Sequence, residues 1–303
     1  MTAHDQLFKE MFRTFFADLV QLALPWLAER TEPREATFLP TEFHTDRPEG
    51  RRRQPDLVAR VPARDGPPEL ILVHVEIEAR ARRGVGRRMW QYARLLRLRH
   101  PRLLVIPLLV TLQGGARGPG LRRETVREEL WGEELASFHY QALHLGRCDA
   151  ASLLARPEPL AWGLAALADR ADMPPEVHKL RCLRAVVLAE GLDDLESFLL
   201  GNCVETYLQL EQPAALRFRE LLENDEELMM ALPEMTWAEQ IEMRGRVEGI
   251  RLALLRLLEL RFGPLSPVLR RRIRAFETQA AMEKLFELAF EVDSLDELKL
   301  DAR

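Results

Sequence analysis

Apolar and polar positions follow two rhythms along this chain. Up to about residue 150, short period-two runs alternate with helical stretches, and beyond it the period is helical throughout. Leu7, Phe8, Met11, Phe12, Phe15, Phe16, Leu19 and Val20 recur at helical spacing and predict an amphipathic helix over residues 4–29, kinked late by Pro25. Residues 36–46 read as a strand, placed at an edge or bulged by Pro40. The segments 51–62 and 69–79 read as two strands joined across Pro62 and Gly66-Pro67-Pro68. A helix is expected over 82–99, with Met89, Tyr92, Leu95 and Leu96 on one stripe and most arginines elsewhere. The near-continuous apolar run 103–112 suits a strand buried on both faces. After a glycine-rich loop over 113–120, residues 137–145 suit a further strand. This order predicts an α/β fold, a mixed sheet flanked by helices, followed by an all-α C-terminal region.

The later helices are expected over 153–171, 175–190, 192–210 and 213–223. A long one over 237–262 is stopped by Gly263-Pro264, and two shorter ones follow over 266–275 and 278–292. The corresponding division is a first domain over 1–150, a helical region over 151–236, and a C-terminal helical domain over 237–303. The leucine-rich, acidic character of that last part suggests self-association through its helices.

The stretch with the most chemistry is 69–79, Glu-Leu-Ile-Leu-Val-His-Val-Glu-Ile-Glu-Ala. In an extended chain Ile71, Val73, Val75 and Ile77 share one face, and Leu70, Leu72, His74, Glu76 and Glu78 share the other. That second face turns from apolar to acidic within about 7 Å. Two carboxylates so close repel, and a divalent cation between them is the simplest remedy; hard oxygen donors suit Mg2+ or Mn2+. Asp56 supplies a third acid. If residue 62 pairs opposite residue 70 in an antiparallel hairpin, Asp56 lies opposite Glu76, with about 5 Å between Cβ atoms. His74 reads as a packed strand histidine.

Composition narrows the alternatives. The 303 residues are 47% apolar, with no run of membrane-spanning length and no basic-then-apolar leader. Three cysteines, none in a C-x-x-C pair, argue against a disulfide framework and against zinc. A cytoplasmic bacterial protein is the expectation. Net charge is −5, yet between Arg47 and Arg127 there are 19 basic against 7 acidic residues, and after residue 150 there are 19 against 28. Phosphate contact needs local rather than overall positive potential, so the basic block around the acids suits a polyanion.

Four stretches taken in order carry a resemblance. Pro55-Asp56 followed twenty residues later by Glu76-Ile77-Glu78 resembles the PD-(D/E)XK nuclease superfamily. Within it, His4-Asp5-Gln6-Leu7-Phe8-Lys9, the strand His74 to Arg80 and Arg87-Arg88-Met89-Trp90-Gln91-Tyr92 resemble the Rpn/YhgA-like branch of recombination-promoting nucleases and transposase-like proteins. The likeness covers roughly residues 1–145, and residues 254–298 resemble a small helical domain found at the C-terminus of such proteins. It implies a restriction-endonuclease-like sheet and Mg2+- or Mn2+-dependent hydrolysis of DNA phosphodiesters. Asp56, Glu76 and the Ile77 carbonyl would hold metal, Glu78 would serve the attacking water, and Arg80, Arg87, Arg88 and Gln91 would meet DNA. The superfamily has Lys where Glu78 stands. The alternative is therefore an inactive nuclease fold retained as a DNA-binding or assembly module.

Overall fold

The N-terminal helical rhythm produces three consecutive segments rather than one helix: α1 (Ala3–Thr14), α2 (Phe16–Ala23) and α3 (Pro25–Ala28). Phe15, with φ −99° and ψ 37°, makes the first break. Pro25 starts a new turn at the second, where its missing N–H costs no helical hydrogen bond. The structure, a computed structural model, describes residues 3–40, 55–64, 71–80, 84–114 and 118–231, with parts of 251–289. The chain divides into two units, Met1–Leu232 and Pro233–Arg303.

The first unit holds a six-stranded mixed sheet. Its strands are β1 (Thr37–Phe38), β2 (Leu57–Val61), β3 (Ile71–Arg80), β4 (Leu104–Gln113), β5 (Leu121–Leu130) and β6 (Glu133–His144), in the spatial order β1-β2-β3-β4-β6-β5. β2 and β3 form the expected antiparallel pair, with Leu57 opposite Val75 and Val61 opposite Ile71. β3 and β4 run parallel, joined by the crossover helix α4 (Val85–Arg99), and β4 and β6 are also parallel. β5 folds back on β6. The expected strand over 36–46 is observed at Thr37–Phe38, and positions 41–46 lie outside the described residues.

Register places alternate residues of each strand beneath α4. Val58, Leu72 and Val105 pack with Ala93 and Leu96, while Leu109, Tyr140 and Ala142 pack with Val85 and Met89. Each fully buried side chain of this size contributes about 1.5–3 kcal/mol. Gly86 allows the close approach, because a Cβ there would stand 2.5 Å from Val126 Cγ2. Both faces of β3 are thus covered as far as Glu76, and the strand emerges toward solvent at Ala79 and Arg80.

Six helices complete the unit: α5 (Ala150–Leu154), α6 (Pro159–Ala165), α7 (Pro175–Val187), α8 (Asp194–Tyr207), α9 (Gln212–Glu223) and α10 (Glu226–Ala231). A capping box between Asp193 and Glu196 starts α8. These helices pack on the N-terminal ones. The Phe8 and Tyr207 rings lie 5.5 Å apart, and Asp18 Oδ2 accepts the Leu160 N–H at 3.1 Å. In the second unit, α11 (Pro267–Arg274) contributes Ile273 to a core with Leu254, Leu258, Leu265, Met282, Leu285 and Ala289. Most of the expected helix over 237–262 lies outside the described residues. Among the described residues no helix is long and apolar enough to cross a membrane.

Candidate active site

The acids meet where β2 begins and β3 nears its end. The hairpin register, with Leu57 opposite Val75, sets Asp56 beside Glu76, the arrangement that follows if residue 62 pairs opposite residue 70. Asp56 Oδ2 accepts the Ile77 backbone N–H at 2.9 Å, and Oδ1 pairs with Lys9 Nζ of α1 at 2.9 Å. Burial and the neighbouring Glu76 charge push the Asp56 carboxyl above its usual range, against the opposing pull of the Ile77 N–H and Lys9.

Glu76 is 3% exposed. His74 Nε2 lies 3.1 Å from its Oε1, and Arg88 Nε of α4 lies 3.4 Å from its Oε2. A proton on Nε2 makes His74 the donor and leaves Nδ1, which has no partner among the described residues, as a bare lone pair. Tyr92 meets the His74 ring edge-on at 5.7 Å. His74 is fully buried, in keeping with a packed strand histidine. Arg88 also donates to Glu78, and this doubly engaged guanidinium sits at a raised pKa. One cation from α4 therefore spans two carboxylates of one strand face.

The remaining expected residues distribute as follows. Arg80 ends β3, exposed, with Nε 3.4 Å from Gln113 Oε1. Arg87 and Gln91 are exposed on α4, and Arg88 is half-buried. Ile77 is tied through its amide. Lys9 enters the site although the sequence pattern marks it only as part of an N-terminal motif. Its place directly after the buried Phe8 is the available signal, and the neighbouring Glu10 is half-buried on the same helix.

The Asp56–Glu76 pair offers carboxylate oxygens, the donor type a hard divalent cation takes, and each of the four already has a protein partner in Lys9, the Ile77 N–H, His74 or Arg88. Among the described residues no group of three or more His, Cys, Asp or Glu side chains is gathered for metal binding. The chain matches no protein-family model, and no curated protein and no solved structure is detectably similar to it.

Proposed function

We propose that residues 1–150 form a metal-dependent DNA endonuclease of the PD-(D/E)XK kind. The observation that carries this reading is the register of β2 on β3, which sets Asp56 beside Glu76 at the end of a buried strand. The mixed sheet with a helix crossing between β3 and β4 supports it, as does the basic flank of Arg80, Arg87 and Arg88.

Asp56 and Glu76, with the Ile77 carbonyl, would hold Mg2+ or Mn2+. When bound, the ion supplies Lewis-acid charge and lowers the pKa of water. The chain's own residues do the rest. Glu78 orients the attacking water or takes its proton, and Arg88 fixes the Glu78 carboxylate in place. Lys9 neutralises Asp56 in the resting protein. Arg80, Arg87 and Gln91 meet phosphate oxygens from exposed positions along the strand end and α4.

The tie between Arg88 and Glu78 also favours a second reading. A carboxylate already engaged by a guanidinium, standing where the superfamily has Lys, suits an inactive fold that binds DNA or assembles. Nicking of supercoiled plasmid with Mg2+ and with Mn2+ separates the two. The endonuclease reading expects metal-dependent nicking that Asp56→Ala abolishes. Equal nicking by parent and variant removes it, and bound but uncut DNA in either metal selects the second reading.

A further inference from the structure

β4 pairs with β6 over Leu108–Thr111, and the rest of the β5–β6 hairpin leaves the sheet as an arm. From Tyr140 back to Glu133 the arm runs roughly 25 Å at 3.3 Å per residue. Its base packs on α4 of the same chain, with Trp90 stacked on Phe138 at 5.8 Å and Gly86 against Val126. Its tip is of another kind. Residues 128–135 read Glu-Glu-Leu-Trp-Gly-Glu-Glu-Leu, four acids and no base, of which Glu134 pairs with Arg127 of the same arm at 3.0 Å. Leu130 is 47% exposed, Leu135 64% and Trp131 94%. An indole held that far into water at a hairpin turn, between two leucines, is an anchor side chain without a pocket.

The second half of α4 and the turn after it are the complement. Residues 94–102 hold Arg94, Arg97, Arg99 and Arg102 and no acid. Leu95 is 38% exposed and Leu98 79%, and Leu104, just beyond, is 58% exposed. The two patches are opposite in sign, and each carries exposed leucines. Arg87 and Arg97 are ten residues apart on α4, about 15 Å. The half of the helix beside the acids is therefore separate from the half with Leu98.

We infer that the arm tip docks on the Arg94–Arg102 surface of a second copy of this chain, the two arms exchanged about a two-fold axis. Trp131 and Leu130 cover Leu95 and Leu98, while Glu128, Glu129 and Glu133 face the arginines. In such an isologous exchange both copies use both patches. Charge complementarity of this kind sets partner choice and register, and apolar anchors hold the complex. The inference stands independently of the nuclease reading.

The test is a charge swap on the full chain, read by sedimentation velocity across micromolar concentrations, with circular dichroism as the fold control. The parent is expected to dimerise, more weakly as salt rises. Glu128→Arg with Glu129→Arg, and separately Arg94→Glu with Arg97→Glu, should each weaken self-association on the order of 100-fold. Mixing the two variants should restore association between them, because a basic tip then meets an acidic helix. Trp131→Ser, at an exposed turn where folding is not at stake, should also weaken the dimer. A monomeric parent, a dimer indifferent to both reversals, or folded variants that fail to pair on mixing would each overturn the inference.

Discussion

Two carboxylate clusters lie beneath or beside α4, and they are held in opposite ways. Glu124 on β5 is saturated. Arg122 donates to its Oε1 through Nε at 2.9 Å and through a terminal nitrogen at 2.6 Å, His144 Nε2 lies 3.0 Å from the same oxygen, and the Tyr140 hydroxyl donates to Oε2 at 2.7 Å. Thr111 Oγ1 in turn holds His144 Nδ1 at 2.7 Å. Despite burial, these donors keep the Glu124 carboxyl below its usual range, and burial, with the carboxylate beside it, raises the Tyr140 phenol. Asp56 has a backbone N–H and one lysine, and burial with the nearby Glu76 wins, so its carboxyl sits high. A carboxylate made comfortable by the chain is a brace. One left uncomfortable beside another carboxylate is where the proposed divalent cation would sit.

The contrast breaks most visibly in activity. Asp56→Asn and Glu76→Gln should each lower metal-dependent plasmid nicking by at least about 100-fold, whereas Thr125→Ala, on the exposed side of β5, should leave it unchanged. Stability moves in the other order. Glu124→Ala strands Arg122, Tyr140 and His144 and should cost about 2–3 kcal/mol in urea unfolding. Thr111→Val removes one buried partner of His144 and should cost about 1–2 kcal/mol by the same measurement.

The smallest effect carries the sharpest sign. A raised carboxyl burdens the fold when ionised, and that burden is relieved as pH falls through the raised value toward the usual 3.8. Asp56→Asn should therefore raise Tm at pH 7, with the gain shrinking as the solution is acidified. Glu124 runs the other way. Its contribution is present above the usual 4.5 and is lost as pH falls through the lowered folded value, so Glu124→Gln should lower Tm at pH 7 and matter less in acid. Thermal melts of both variants at several pH values check the pair of signs together.

Much of the fold was legible in the chain because burial and period agree there. The run 103–112 announces a doubly covered strand, and the break at Gly66-Pro67-Pro68 marks a hairpin, whose register the sequence left open and the pairing of Leu57 with Val75 decides. β5 was not legible. Leu-Arg-Arg-Glu-Thr-Val-Arg-Glu-Glu-Leu is an edge strand whose side chains are mostly exposed, so no apolar alternation marks it, and its partner β6 defines it. The N-terminal helix read as continuous because its apolar stripe runs on through Phe15 and Phe16, although the backbone turns there. In the site, the acids were visible as a pattern and their neutralising cations were not. Lys9 lies 47 positions from Asp56, and Arg88 reaches back across the crossover to two carboxylates. Such contacts are set by the packing of α1 and α4 rather than by local sequence.

The claim that matters most is that the Asp56–Glu76 pair is held for a divalent cation. Isothermal titration of Mn2+ into the parent, Glu76→Gln and Glu124→Gln at neutral pH addresses it without DNA or turnover. The account predicts binding by the parent and by Glu124→Gln, lost in Glu76→Gln. Binding that survives Glu76→Gln, or no binding by the parent at millimolar Mn2+, would contradict it.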